Sequence, residues 1–518
     1  MSDENSDPPV TDVPDPDNGE KSPGEGRRDD SASKPSASDD KRHSEDDQAL
    51  ENELHVVNNF YFIGNTIEGS AIGPNAQFLA GIRQSTKTTR KEENQHEKDV
   101  IENWETWLRE KRIQDQAFVI SLLFFPGNPP NFIVRIANEL VLLLGEKIED
   151  ATEKPSIFNK GVSIGSFTKD GLVSIERQSI TTEAGKLEFE SISITNKDAL
   201  LAIKQAIFQD YDLISLRGVI RQWLIGLIKS DNKKIERLGS IAPDLPRLQA
   251  GLGLGLLARS EVDALPVIIR PWASSENPND RLMVGWILLG YFEEDSQNSY
   301  WSNVSSLLRH WSSLDNYYYR WTAVASTTRL ALIASPEDDE ALMLCMSIYK
   351  DVCKSGQVNL FTGKFRGVLL RSLKFVFQLS AYHARTVILE LSSWLDDEQT
   401  PNVKDLAAEL FVEILNVGIT VNEDVSRSGV ISIWELCEME NYTITDGVCN
   451  LLDQVLHHQK GTFVDYSVKQ VSKSISKSLD KEIIPKKIFD TIISHLRGDR
   501  IAERYVAVLF GDYINKHD

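Results

Sequence analysis

The chain has 518 residues, more than one hydrophobic core usually serves, and 41% of them are hydrophobic, enough for a sizeable folded core. Its formal net charge is −21, and an acidic surface repels phosphate backbones, which disfavours nucleic acid as a main partner. The four cysteines, Cys345, Cys353, Cys437 and Cys449, form no C-x-x-C pair, which argues against a disulfide framework and for buried thiols in a reducing compartment.

Residues 1–50 carry 15 Asp/Glu and 6 Lys/Arg, a net of −9, and almost no apolar side chains. No burial there can offset chain entropy, so this segment is expected to be a disordered acidic tail. Its opening, Met1-Ser2-Asp3-Glu4, lacks the basic start and apolar core of a signal peptide. No uncharged apolar run approaches the roughly 20 residues of a membrane-spanning helix. The longest, Leu282 to Phe292, reads as a buried core helix, and the expected location is cytoplasmic, with no membrane partner.

Residues 54–82 change to β-branched and aromatic residues broken by Asn and Gly, with Val56 to Ile63 a strand candidate. So short a β unit is not stable alone, so Phe60, Tyr61 and Phe62 are expected to pack on a partner or on the rest of the chain. Residues 83–99 are polar and read as a linker or an exposed helix start. Residues 100–145 look helical, with Trp104, Trp107, Leu108 and Ile113 at helical spacing. A break is expected at Pro126-Gly127-Asn128-Pro129-Pro130, then a helix from Phe132 to Leu144 capped at Gly145.

Residues 155–196 read as strands. Val173 and Ile175 alternate with Ser174 and Glu176, and Leu187 and Phe189 with Glu188 and Glu190. Ile192 and Ile194 continue shifted by one, which a bulge would explain. Thr182 to Gly185 suits a hairpin loop. Helices follow over Asp198 to Phe208 and Leu213 to Ile228, so the outline over 100–230 is a helical plus winged-helix-like unit.

From about 212 onward the pattern is helix after helix. Trp311 lies 39 residues after Trp272, Trp394 lies 83 after Trp311, and Trp434 lies 40 after Trp394. Cys353 fills the skipped slot. Arg281 and Arg320 each lie nine residues past their tryptophan. A period near 40 is the size of HEAT or armadillo helix pairs, which cannot hide their apolar faces alone and so stack on their neighbours. The expected fold class is therefore mostly α, with residues 231–518 an α-solenoid. The tryptophans are expected to pack between layers, and Ile483 to Leu496 and Ile501 to Ile514 to cap the array. Trp286, Trp301 and Trp321 fall off the period.

Motifs that would carry chemistry are weak. Gly161-Val162-Ser163-Ile164-Gly165 matches G-x-S-x-G without the strand and helix a nucleophile elbow needs. Gly251-Leu252-Gly253-Leu254-Gly255 is not G-x-G-x-x-G and reads as a close helix–helix approach. Gly363-Lys364 is followed by Phe365, so it lacks the hydroxyl of a P-loop. His457-His458 with Asp453 supplies too few ligands for zinc. No catalytic residue, metal or cofactor is expected. The basic set Arg281, Arg320, Lys364, Arg366 and Lys404 stands near helix starts and is the best candidate for a partner-binding ridge along one edge of the array.

Residues 100–275 resemble the segment that follows the nucleotide-binding core in bacterial STAND signalling NTPases, especially those of actinomycetes. The residues that carry the likeness are Ala117-Phe118-Val119-Ile120-Ser121 through Leu144 and Tyr211-Asp212-Leu213-Ile214-Ser215-Leu216 through Trp223-Leu224. Asn58-Asn59-Phe60-Tyr61 through Ala71 is similar to a short β motif of such proteins. The resemblance implies a helical lid, a winged helix and a helical-repeat sensor. The P-loop is missing, so ATP hydrolysis is not implied. The function expected is a non-enzymatic protein-interaction scaffold or sensor whose partner is another protein, an NTPase or an effector. The alternatives are a nucleic-acid-associated regulator using the winged-helix-like unit, for which Arg217, Lys229, Lys233, Lys234 and Arg237 supply positive charge, and a degenerate nucleotide-binding protein.

Overall fold

The computed structural model describes residues 103–104, 106–147, 164–182, 185–209, 214–240, 244–260, 264–292, 298–334, 336, 338–354, 366–396, 401–422, 428–439, 442–457 and 474. The expected tail 1–50, the 54–82 segment with Phe60, Tyr61 and Phe62, the expected linker 83–99, Gly161 to Ser163, Lys364, His458 and the expected capping helices over 483–496 and 501–514 lie outside the described residues.

The described residues are mostly helical, with little sheet. α1 (Ile113–Phe124) and α2 (Pro130–Lys147) pack on each other across the expected proline break, where Gly127 takes φ 76°. Gly145 is not a cap, because α2 continues through it to Lys147. α3 (Ile164–Lys169) is a short helix inside the stretch read as strands. Its single buried anchor, Phe167, stacks on Phe118 of α1 at 5.3 Å between ring centroids.

β1 (Val173–Thr182) and β2 (Gly185–Ile194) form an antiparallel hairpin whose register is unbroken from Val173↔Ile194 to Thr182↔Gly185. The expected bulge is therefore not there. Alternation puts Val173, Ile175, Ile192 and Ile194 on one face near the base and the positions of Ile180, Leu187 and Phe189 on the other face near the turn. A two-stranded ribbon twists strongly, so its apolar face can change along its length with no inserted residue. The hairpin base is held by a buried polar knot. Ile192 exchanges two backbone bonds with Gly127 and Asn128, at 2.9 and 3.1 Å. Asn128 Nδ2 donates to Phe125 O (3.1 Å) and to Gln249 Oε1 (2.7 Å), and Gln249 Nε2 donates to Pro126 O (3.0 Å).

α4 (Lys197–Gln209), α5 (Ile214–Ile228) and the one-and-a-half-turn α6 (Asn232–Arg237) follow. Then come α7 (Asp244–Arg259), α8 (Ala264–Ala273), α9 (Pro278–Tyr291), α10 (Asn298–Ser313), α11 (Tyr317–Leu330), α12 (Glu340–Lys354), α13 (Arg366–Gln378), α14 (Ala381–Trp394) and α15 (Pro401–Ile414). A short pair, β3 (Ile419–Asn422) and β4 (Ser428–Ile431), precedes α16 (Ile433–Met439) and α17 (Tyr442–His457). The packing has a regular skip: α5 rests on α7, α7 on α9, α9 on α11, α11 on α13, α13 on α15 and α15 on α17. α8 packs on α9, α10 on α11 and α12, and α12 on α14.

The α7–α9 contact is the closest. The small residues of Gly251-Leu252-Gly253-Leu254-Gly255 bring the two backbones together, as the sequence suggested. A Cβ on Gly255 would meet Tyr291 N at 2.5 Å, and one on Gly290 would meet Leu252 Cα at 2.7 Å. α9 from Arg281 and α11 from Arg320 have no exposed side, and α7 from Pro246 to Ala258 is buried at every position except Arg247. A helix apolar on all sides belongs inside a core rather than at a surface. Leu282 to Tyr291 is buried as expected. Among the described residues, no helix is long and apolar enough to cross a membrane.

Candidate functional site

The repeat markers occupy one structural position. Trp272, Trp311, Cys353 and Trp394 all lie in the last turn of α8, α10, α12 and α14, and all four are buried. Trp434 breaks the phase: it stands at the start of α16, where its Nε1 donates to Ser474 Oγ at 3.0 Å, and Ser474 donates on to Leu415 O at 3.1 Å.

Two of the pairs share a fuller motif that the sequence reading missed. Five residues past Trp272 and Trp311 stand Asn277 and Asn316, the N-caps of α9 and α11. Asn277 Oδ1 accepts from Asn279 N at 3.0 Å, and Asn316 Oδ1 accepts from Tyr318 N at 2.9 Å. Asparagine at this position satisfies helix N–H groups that have no intrahelical acceptor. The signal was present: Trp, Asn and Arg recur together at one spacing.

Arg281 and Arg320 do not form an exposed ridge. Arg281 is fully buried; its Nη1 donates to Ser275 O (2.7 Å) and Glu276 O (3.1 Å), and its guanidinium lies over the Trp321 ring (4.5 Å to the centroid) and the Tyr318 ring (5.0 Å). Arg320 is 5% exposed and its Nη2 lies 3.9 Å from Asp315 Oδ1. Each arginine reaches back to the loop joining its own helix pair. Guanidinium is more weakly hydrated than ammonium and offers five donors, which suits it to a buried carbonyl cluster. The proximity of these two arginines to helix starts, which suggested a partner-binding ridge, thus reflects loop fastening. Of the remaining members of the set, Arg366 begins α13 and Lys404 is half-buried on α15.

Of the positive charges near α5 and α6, Lys229, Lys233 and Arg237 are exposed, while Arg217 and Lys234 make specific contacts. Arg217 is buried and donates to Ile207 O and Phe208 O at the end of α4, at 3.3 and 2.8 Å. Lys234 pairs with Glu139 at 3.1 Å.

The chain matches no protein-family model and no curated protein.

The thiols are buried and unpaired by disulfides. Burial pushes Cys345 and Cys437 up to about 12 and Cys449 up to about 11. A thiol so shifted carries almost no thiolate at neutral pH and is a poor nucleophile or metal ligand. Cys345 neighbours a hydroxyl seam in which Thr328 Oγ1 and Tyr349 OH lie 2.8 Å apart between α11 and α12. His383, also buried, bonds Ala331 O through Nε2 (2.8 Å) and Ser380 Oγ through Nδ1 (2.7 Å), which ties α14 to the end of α11. Among the described residues, no three His, Cys, Asp or Glu side chains converge to hold a metal.

Proposed function

We propose that this chain is a non-enzymatic protein-interaction scaffold or sensor, an α-solenoid of HEAT- or armadillo-sized helix pairs preceded by a winged-helix-like unit. The supporting observation is that Trp272, Trp311, Cys353 and Trp394 recur in the last turn of alternate helices, α8 to α14, while α5, α7, α9, α11, α13, α15 and α17 pack in a skip-one ladder. Repeats of this kind present surface along many units and serve binding rather than a single deep site. The partner is another protein, an NTPase or an effector, in keeping with the proposed kinship to the lid, winged-helix and repeat region of bacterial STAND proteins in signalling or defence. We place it in the cytoplasm. The nucleic-acid alternative draws less support, because Arg217 is buried against the end of α4, Lys234 is paired with Glu139 at the surface, and the exposed hairpin residues Glu176, Glu188 and Glu190 are acidic.

The test is co-purification of the tagged full chain from native cells with quantitative mass spectrometry. A stoichiometric protein partner is expected. Recovery of the chain alone under mild lysis at low and moderate salt refutes the proposal.

A further inference from the structure

β1 and β2 pair with each other in a two-stranded sheet, and a contact outside the ladder fixes its phase. Ile192 turns its backbone away from β1: its N–H donates to Asn128 O and its carbonyl accepts from Gly127 N–H. In an antiparallel pair, residues whose backbone groups point outward sit opposite residues that do the same. Ile192 faces Ile175 and Glu190 faces Arg177. Ile175 and Arg177 therefore offer N–H and C=O on the far edge of β1, where neither has a backbone partner among the described residues. Exposed edges are normally blunted by bulges, prolines or short length. This edge runs for ten residues with no bulge and no proline. Ile175 is 43% exposed, and Glu176, Arg177, Glu188 and Glu190 are exposed beside it.

We propose that the β1 edge accepts an extended segment of a partner protein as a third strand, with apolar and basic side chains in alternation. Main-chain bonds to Ile175 and Arg177 would supply the affinity, and the side chains the selectivity. An apolar residue would cover Ile175. The next residue of the segment would turn to the opposite face, where Glu176 is exposed, and a basic side chain there would answer that carboxylate. The proposal rests on the protein-binding function above and names a surface and a partner chemistry for it.

The test titrates the full chain into a short fluorescent peptide of alternating lysine and valine, with a control peptide that groups the same lysines and valines into blocks. The alternating peptide should bind saturably and the blocked one about tenfold more weakly or worse. Ile175→Pro and Arg177→Pro should each weaken binding about tenfold, because proline removes an outward N–H and leaves the β1–β2 ladder intact. Glu176→Lys, which leaves every backbone donor in place, should weaken it too, and thermal midpoints confirm that each variant is folded. Equal binding of both peptides, undiminished binding by the folded variants, or no binding overturns the proposal. In the co-purification experiment, a partner retained by Arg177→Pro defeats the edge and leaves the protein-binding function standing, whereas recovery of the wild-type chain alone defeats both.

Discussion

Adding one methyl group should have opposite effects at different glycines. A Cβ on Gly255 would lie 2.5 Å from Tyr291 N and 2.8 Å from Gly290 C, and closer still to the Ile287 carbonyl oxygen. Ordinary contacts between heavy atoms lie at about 3.5 Å, so the α7 and α9 axes must part by about 1 Å. All three obstacles are backbone, so no rotamer change relieves them. Alanine stabilises a helix interior by about 1 kcal/mol over glycine, while overpacking costs about 1–3 kcal/mol and more where the structure cannot yield. Gly255→Ala should therefore destabilise by about 2 kcal/mol net, and Gly290→Ala, opposed by Leu252 backbone, by a similar amount. At Gly218 and Gly226 on α5, an added Cβ would have nothing within 4 Å, so alanine there should raise stability by a few tenths to about 1 kcal/mol. Thermal and urea unfolding followed by circular dichroism read both signs. A Gly255→Ala midpoint equal to or above wild type refutes the close approach.

Arg281→Met should cost about 2–4 kcal/mol by stranding the Ser275 and Glu276 carbonyls and emptying the space over Trp321, whereas Lys404→Ala should change stability by less than about 0.5 kcal/mol; urea midpoints compare them. Asn128→Ala and Gln249→Ala should show a coupling of about 1 kcal/mol in a double-mutant cycle, with faster amide exchange at Ile192 in either variant. Cys345 and Cys437 have native values raised from an ordinary 9.0 to about 12. The native state thus holds protons that the unfolded chain releases, so this contribution to stability is complete below about pH 9 and is lost as pH rises toward 12. Unfolding midpoints should fall over that window and Cys345→Ser/Cys437→Ser should flatten the fall, while thiol reagents at pH 8 should label these cysteines only after denaturation.

Much of the helical framework was legible because it follows from apolar spacing and breakers. α1, α2, α4 and α5 lie where the pattern put them, and the Gly251–Gly255 run is a contact because glycine in a helix is otherwise unfavourable. The tryptophans were legible as interior residues for their size. Arg281 and Arg320 were misplaced because a guanidinium reads as surface until its partners are folded against it: the Ser275 and Glu276 carbonyls, six and five residues upstream, for Arg281, and the Asp315 carboxylate, five residues upstream, for Arg320. α3 was hidden because six residues with Gly, Ser and Thr carry little helical signal, and its position depends on Phe167 reaching Phe118. The hairpin register was misread because a twisting ribbon lets the apolar face change without an extra residue.

α7, α9 and α11 form an interior row, each helix held by the next. Native-state hydrogen exchange with mass spectrometry addresses it directly. Peptides covering 246–258, 281–291 and 320–330 should exchange more slowly than those covering the exposed side of α10 at 302–310, and should open together in dilute denaturant. Exchange in those three segments as fast as in α10, or loss of α9 protection while α7 and α11 stay closed, would contradict the account.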